Sequence, residues 1–265
     1  MRGGKCIYDI ELGSFMAKKP KKAYRNRILP SKKTINEGIY IDFEGFAPNS
    51  YNKKIPPSLI GIYRPADDCF RQIVFNNGLQ IAAENTDVGY PVTFNSDIKS
   101  VLEQLVSEAR KKQPLFAFSE HEYKKIKPRI GSRSIKKRYR NVKLIAKKYF
   151  KDNQPDKPVP STLLEVIQRL DLDTTDKIED HTITDRIREV KKHCKSHKKW
   201  ASAPKEKKIL WHEVLEHNKW DCMIMHKALL KMLKGRDSER HDWIIIVDLT
   251  YAMSTLKEPL VSISS

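Results

Sequence analysis

The stretch Gly38-Ile39-Tyr40-Ile41-Asp42-Phe43-Glu44-Gly45-Phe46 constrains the fold more than any other part of the chain. Apolar residues run up to a D-x-E, and a glycine follows at once. In a strand, side chains alternate, so Asp42 and Glu44 share one face. Two carboxylates at the end of an otherwise apolar strand repel each other and call for a counter-charge. A hard divalent cation is the usual answer. The plain alternative is a pair of solvated acids ending an edge strand.

The chain has 265 residues, enough for one large domain or two small ones. Apolar residues make up 39% and charged residues 32%, which suits a folded core under a heavily charged surface. No apolar run approaches a membrane span, and the N-terminus, Met1 to Cys6, lacks the apolar core of a secretory signal. Cys6, Cys69, Cys194 and Cys222 show no paired spacing and read as reduced thiols. These features point to an intracellular, cytoplasmic protein. The net charge is +18, from 51 Lys+Arg against 33 Asp+Glu. Such a surplus points to a polyanion partner, most simply nucleic acid. An anionic lipid surface is the competing partner, but no amphipathic helix with bulky exposed apolar residues supports it.

Along the chain, residues 1–36 carry Lys18-Lys19-Pro20-Lys21-Lys22, Arg25, Arg27, Lys32 and Lys33, and are expected to form a basic arm or loosely packed edge. Strands are expected at 38–46, 58–63, 70–75 and 114–118, the first three as an antiparallel meander. The apolar run Trp243-Ile244-Ile245-Ile246-Val247 predicts a late strand. Ile98, Val101, Leu102, Leu105, Val106 and Ala109 recur at helical spacing behind Ser96 or Asp97 as cap. Helices are also expected over 163–172 and 209–234, the latter capped by Gly235. Strands, helix, strand is the start of an α/β arrangement. Two segments are strongly basic, about 124–160 and 177–208. In the first, Tyr139, Tyr149 and Phe150 are interleaved with lysines, which makes Tyr139 and Tyr149 candidates for base stacking. Its residues Lys136, Lys137, Arg138, Arg140, Lys143, Lys147 and Lys148 are the candidate backbone-gripping set, against the alternative of a solvated charged helix. The four tryptophans, Trp200, Trp211, Trp220 and Trp243, are expected in packing roles.

Two further acidic sites follow the D-x-E. In Phe116-Ala117-Phe118-Ser119-Glu120-His121-Glu122, a short apolar strand ends and acids appear at the strand-to-helix turn. Open α/β sheets keep their ligands there, beyond the carboxyl ends of strands. In Glu216-His217-Asn218-Lys219-Trp220-Asp221-Cys222, His217 and Asp221 are four apart and share a helix face.

In motif order and setting this pattern resembles the DEDD, or DnaQ-like, 3′–5′ exonuclease superfamily of the RNase H-like fold. Asp42-x-Glu44 with the partner strand Ser58-Leu59-Ile60-Gly61 is similar to the first motif, Glu122 to the second, and His217-Asn218-x-x-Asp221-Cys222 to the third. It looks most like the bacterial RecB-associated RNase H-like nucleases, whose third motif reads Tyr-Asn-x-x-Asp-Cys. The chain departs from that branch in carrying His217 at the tyrosine position. The histidine subclass sets its His five before the Asp, where this chain has Glu216. Glu120 competes with Glu122 as the second-motif acid.

The resemblance implies an RNase H-like mixed sheet of about five strands flanked by helices. The nuclease domain would span 37–235, with 236–265 as a C-terminal extension packing on it. It further implies phosphodiester hydrolysis with two Mg²⁺ or Mn²⁺ ions held by Asp42, Glu44, Glu122 and Asp221, and with His217 orienting or deprotonating the attacking water. Single-stranded DNA is the first expected substrate and RNA the second. Two rivals stand beside this reading: a non-catalytic nucleic-acid-binding subunit of a larger assembly, and an RNase H-like endonuclease. Cys194-x-x-His197, beside His193, invites a zinc reading, but a tetrahedral site needs two more ligands. A charged, solvated loop is the expectation there.

Overall fold

The computed structural model describes residues 28–45, 56–108, 113–131, 135–174, 183–197 and 199–255, with side chains as far as residue 236. Helix α1 (Lys32–Asn36) opens it, capped by Ser31, whose hydroxyl accepts from the Thr34 backbone. Three strands follow, β1 (Ile39–Glu44), β2 (Leu59–Arg64) and β3 (Cys69–Val74), joined antiparallel as the sequence predicts. Short α2 (Gln80–Glu84) leads to β4 (Val92–Phe94), and α3 (Ile98–Glu108) to β5 (Leu115–Ala117). Asp97 caps α3 by accepting from the Ser100 backbone. Then come α4 (Glu120–Ile130), β6 (Tyr139–Asn141), α5 (Val142–Asn153), α6 (Leu163–Arg169), α7 (Ile183–Ser196) and α8 (Lys205–Thr255).

The molecule is α/β, with one six-stranded mixed sheet in the order β4-β3-β2-β1-β5-β6. β5 runs parallel to β1, β6 parallel to β5, and β4 parallel to β3. Helices flank the sheet, and the first half of β1, inside it, is therefore buried on both faces through Ile39, Tyr40 and Ile41. Ile39, Ile41 and Phe43 pack with α3 and α4 through Val101, Leu102, Leu105 and Ile126. Tyr40 points the other way, into a core with Val142, Ile145, Phe150, Met225 and Leu229. Asp42 and Glu44 alternate in phase with Tyr40 and therefore face α8. A third cluster joins Leu59 and Val74 to α7 and to Trp211, Val214 and Leu215 of α8.

Several expectations need correction. The sheet has six strands rather than about five, and the added strands are β4 and β6. Each is three residues long, too short to show a period, and β6 lies inside the basic segment. The apolar run 243–247 is not a strand; its backbone continues α8. Gly235, Asp237 and Ser238 precede it in sequence and read as a boundary, but the helix runs on through them, and a short apolar run alone does not distinguish strand from buried helix. Gly235 accordingly is not a cap. A Cβ there would meet the Tyr149 hydroxyl at 2.5 Å, so glycine at this position lets α8 approach α5. The stretch around Cys194 and His197 is not a loop: Cys194 is buried on α7, and the His193 and His197 rings stack at 4.2 Å. At the N-terminal edge, Ile35 is fully buried, while residues 1–27 lie outside the described part. So do residues 256–265 and the side chains from 237, and with them the expected packing of the C-terminal extension and the role of Trp243. Trp200 and Trp211 are core residues as expected. Among the described residues, Cys69, Cys194 and Cys222 are free thiols, and no helix is long and apolar enough to cross a membrane.

Candidate metal and catalytic site

β1 delivers Asp42 and Glu44 to the face covered by α8, and α8 lays His217, Asn218, Asp221 and Cys222 over them. His217 is buried, with Nε2 3.4 Å from Glu44 Oε1 and 3.5 Å from Asp221 Oδ2. One ligand atom from each of Glu44, His217 and Asp221 lies within 4.8 Å of the others, a spacing that suits one cation. The i,i+4 relation of His217 and Asp221 read from the sequence is the relation that produces this.

Glu122 enters from the far side of β1, on the turn between β5 and α4. It is 6% exposed. The turn forms a capping box: the Ser119 hydroxyl accepts from the His121 backbone, and Glu122 Oε2 accepts from Ser119 N at 3.1 Å. The Tyr139 hydroxyl sits against the Ser119 carbonyl and 3.4 Å from Glu122 Oε2. Glu120 is exposed and pairs with Lys124 at 3.9 Å. Of the two acids in this segment, only Glu122 turns toward the others.

The electrostatics show how close the groups are. Burial, together with the charge of Glu122, pushes Asp42 up to about 7, against hydrogen bonds that favour its charged form, Asn218's among them. Burial raises Glu122 as well, opposed by hydrogen bonds from Ser119 and Tyr139. The Cys222 thiol is driven well up, first by burial and then by the charges of Asp42, Asp221 and Glu44. Asp42 thus feels the charge of Glu122 and shares a hydrogen bond with Glu44, and burial is the larger cause of its raised proton affinity. The compact group of ligand atoms is Glu44, His217 and Asp221; Asp42 and Glu122 are not part of it. The carboxylate oxygens are donors of the kind that hard divalent ions such as Mg²⁺ and Mn²⁺ take, and the His217 imidazole lies beside them.

Asn218 and Gln72 were not legible as site residues. Asn218 Nδ2 donates to Asp42 Oδ2 at 2.8 Å and to the Asp42 carbonyl at 3.2 Å. Gln72 Nε2 donates to Asn218 Oδ1 at 2.9 Å. Gly61, opposite Asp42 in the register, makes room: a Cβ there would lie 2.3 Å from Asn218 Oδ1. Asn218 carried a sequence signal as part of His217-Asn218-x-x-Asp221-Cys222, and Gly61 as part of the partner strand, but neither pointed to Gln72.

The basic set divides. Lys136 and Lys137 are exposed on the turn before β6. Arg138 Nη1 donates to the Val106 carbonyl at 2.8 Å and so ties this turn to α3, whereas Arg140 Nη1 donates to the nearby Tyr139 carbonyl at 3.0 Å. Lys148 pairs with Asp152. Lys143 and Lys147 are half-buried on α5, with Lys143 Nζ 6.0 Å from the Phe118 ring centre. Lys143 N also donates to the Phe118 carbonyl at 2.9 Å, which sets the start of α5 beside the turn carrying Glu122. Tyr139 is buried and holds Ser119 and Glu122, so it is not a stacking platform; its lysine neighbours in sequence point outward while it points in. Tyr149 packs half-buried against Phe150.

No protein-family model matches the chain, and neither does any curated protein or solved structure.

Proposed function

We propose that the chain is a metal-dependent nuclease on an RNase H-like scaffold, hydrolysing phosphodiester bonds of single-stranded DNA or RNA, with removal from a 3′ end as the favoured mode. The observation that carries this reading is the compact group of Glu44, His217 and Asp221 at the end of β1, with Asp42 on the same face of that strand and within reach of the charge of Glu122. The sheet supports it as well: the meander β3-β2-β1 followed by parallel β5 and β6 forms a five-stranded mixed core, with β4 as an added edge.

Asp42, which feels the charge of Glu122, would hold the ions together with Glu44, Glu122 and Asp221. Two bound Mg²⁺ or Mn²⁺ ions would supply a water of lowered pKa and positive charge at the leaving oxygen. The water oxygen attacks phosphorus, the P–O3′ bond breaks, and the 3′ oxygen leaves and takes up a proton. His217, between Glu44 and Asp221, is placed to accept the proton from the water. Exposed Lys136 and Lys137, with Lys143 and Lys147 near the Glu122 turn, would hold backbone phosphates.

A second reading has its own observation. The Glu122 carboxylate is tied into a capping box, which fits a structural role and leaves a three-residue site of Glu44, His217 and Asp221. A chain with that smaller site would be the non-catalytic binding subunit. The deciding experiment incubates the protein and Mn²⁺ with a 3′-labelled strand and with a closed single-stranded circle, each with chelator and Asp42→Asn controls. Loss of the label with the circle spared supports the exonuclease. Cutting of the circle makes it an endonuclease. Tight binding without cleavage of either establishes the non-catalytic reading.

A further inference from the structure

Asp42, Gly61 and Gln72 form one row across β1, β2 and β3: Asp42 pairs with Gly61, and Gly61 with Gln72. Side chains in such a row share a face. Because Gly61 has none, a notch opens between the other two, and the Asn218 side chain of α8 lies in it. Gln72 and Asn218 are both fully buried.

The polarity of the contacts is fixed from its ends. Gln72 Nε2 lies 2.9 Å from the Leu215 carbonyl, which can only accept, so the glutamine amide must present its nitrogen. The second hydrogen of that nitrogen goes to Asn218 Oδ1 at 2.9 Å. The Asn218 nitrogen is then forced toward Asp42, whose carboxylate and carbonyl also only accept. No flipped amide satisfies both ends, so the orientation does not depend on telling oxygen from nitrogen. Among the described residues, Gln72 Oε1 is buried with no hydrogen-bond partner. A buried acceptor without a partner is costly. An apolar side chain would avoid that cost, which marks the donor end as the reason for a glutamine.

We infer that Gln72 is a positioning residue for the acidic site: acting through Asn218 across the Gly61 notch, it fixes the direction in which the Asp42 carboxylate faces its ligands. This rests on the metal-site reading above. Partners that orient a ligand without touching the metal characteristically change metal affinity by about 10- to 100-fold when removed. Gln72→Leu deletes the donor at similar volume. Gln72→Met follows the length of the glutamine chain and offers no donor, so it releases the Asn218 amide without a branched side chain.

The test measures Mn²⁺ binding to the full chain by electron paramagnetic resonance, with circular dichroism melts to establish folding. It uses wild type, Gln72→Leu, Gln72→Met, Asn218→Ala and the Asn218→Ala/Gln72→Leu double variant. Positioning predicts about 10- to 100-fold weaker Mn²⁺ binding in both Gln72 variants, and no further loss from Gln72→Leu once Asn218 is alanine. A role in packing alone predicts the same loss with and without Asn218 and overturns the inference. Wild-type affinity in folded Gln72→Leu or Gln72→Met overturns it too. Wild-type protein that binds no Mn²⁺, or binds it unchanged after Asp42→Asn, overturns the metal reading itself and the positioning role with it. Normal wild-type binding with indifferent Gln72 variants overturns the positioning alone.

Discussion

Replacing Asp42 with asparagine should stabilise the metal-free protein above neutral pH and abolish its response to divalent ions. The Asp42 carboxyl is raised from 3.8 to about 7 in the folded state, by burial first and by Glu122 second. The sign follows from linkage. Between about pH 4 and 7 the folded state holds a proton on Asp42 that the unfolded state has released, so stability falls as pH rises through that window and levels off above it. A tenfold change in proton affinity between the two states is worth about 1.4 kcal/mol, so a change of roughly a thousandfold sets a ceiling near 4 kcal/mol. Asp42 keeps some contact with solvent, and about 2–4 kcal/mol is the working range. Asparagine keeps the shape, still accepts from Asn218, and lacks the charge. At pH 8 without metal, Asp42→Asn should melt about 5–10 °C above wild type, with the two converging near pH 4. Mn²⁺ should raise the wild-type melting temperature and leave the variant's unchanged. Differential scanning calorimetry from pH 4 to pH 8, with chelator and with Mn²⁺, measures both effects. A variant less stable than wild type at pH 8, or parallel pH profiles, would refute the argument that Asp42 bears an uncompensated buried charge.

Glutamine caps a helix as glutamate does, so Glu122→Gln should keep the Ser119 capping box and the melting temperature while cleavage falls by about 100-fold or more; retained cleavage would confine Glu122 to the cap. His217→Ala should lower kcat by roughly 100-fold with little change in KM, and an equal rise in KM alone would deny it a part in proton transfer. Gly61→Ala drives a methyl group onto an Asn218 that is held at both ends, and should cost about 1–3 kcal/mol in a denaturant melt together with Mn²⁺ affinity; a neutral outcome would mean that the notch is not tight. Changing Lys136 and Lys137 to glutamine should weaken nucleic-acid binding and flatten its salt dependence by up to about one unit per lost contact, whereas Arg138→Gln should chiefly lower stability. An unchanged salt slope after the lysine substitutions would leave them a solvated face.

The acids were legible because their signals are local. A D-x-E at the end of an apolar strand, an acid at a strand-to-helix turn and a His four before an Asp are each settled by strand or helix periodicity. The groups that orient those acids are not local. Gln72 reaches Asn218 across 146 positions of sequence, and its part depends on a register of three strands that no spacing reveals. Tyr139 misled for the same reason: its lysine neighbours suggested a solvent-facing residue, and only the parallel pairing of β6 with β5 turns its hydroxyl inward to Ser119 and Glu122. The basic segment was legible as charge but not as roles, because Arg138 and Lys136 look alike until the Val106 carbonyl is found within reach of one of them. The misplaced strand at 243–247 shows the limit from the other side, since Gly235, Asp237 and Ser238 suggest a boundary that the helix runs through, and a short apolar run fits either element. Together these cases separate what a site needs into two parts. The charged groups follow from local pattern, whereas their direction is a property of the sheet, and the Gly61 notch is where that property reaches Asp42.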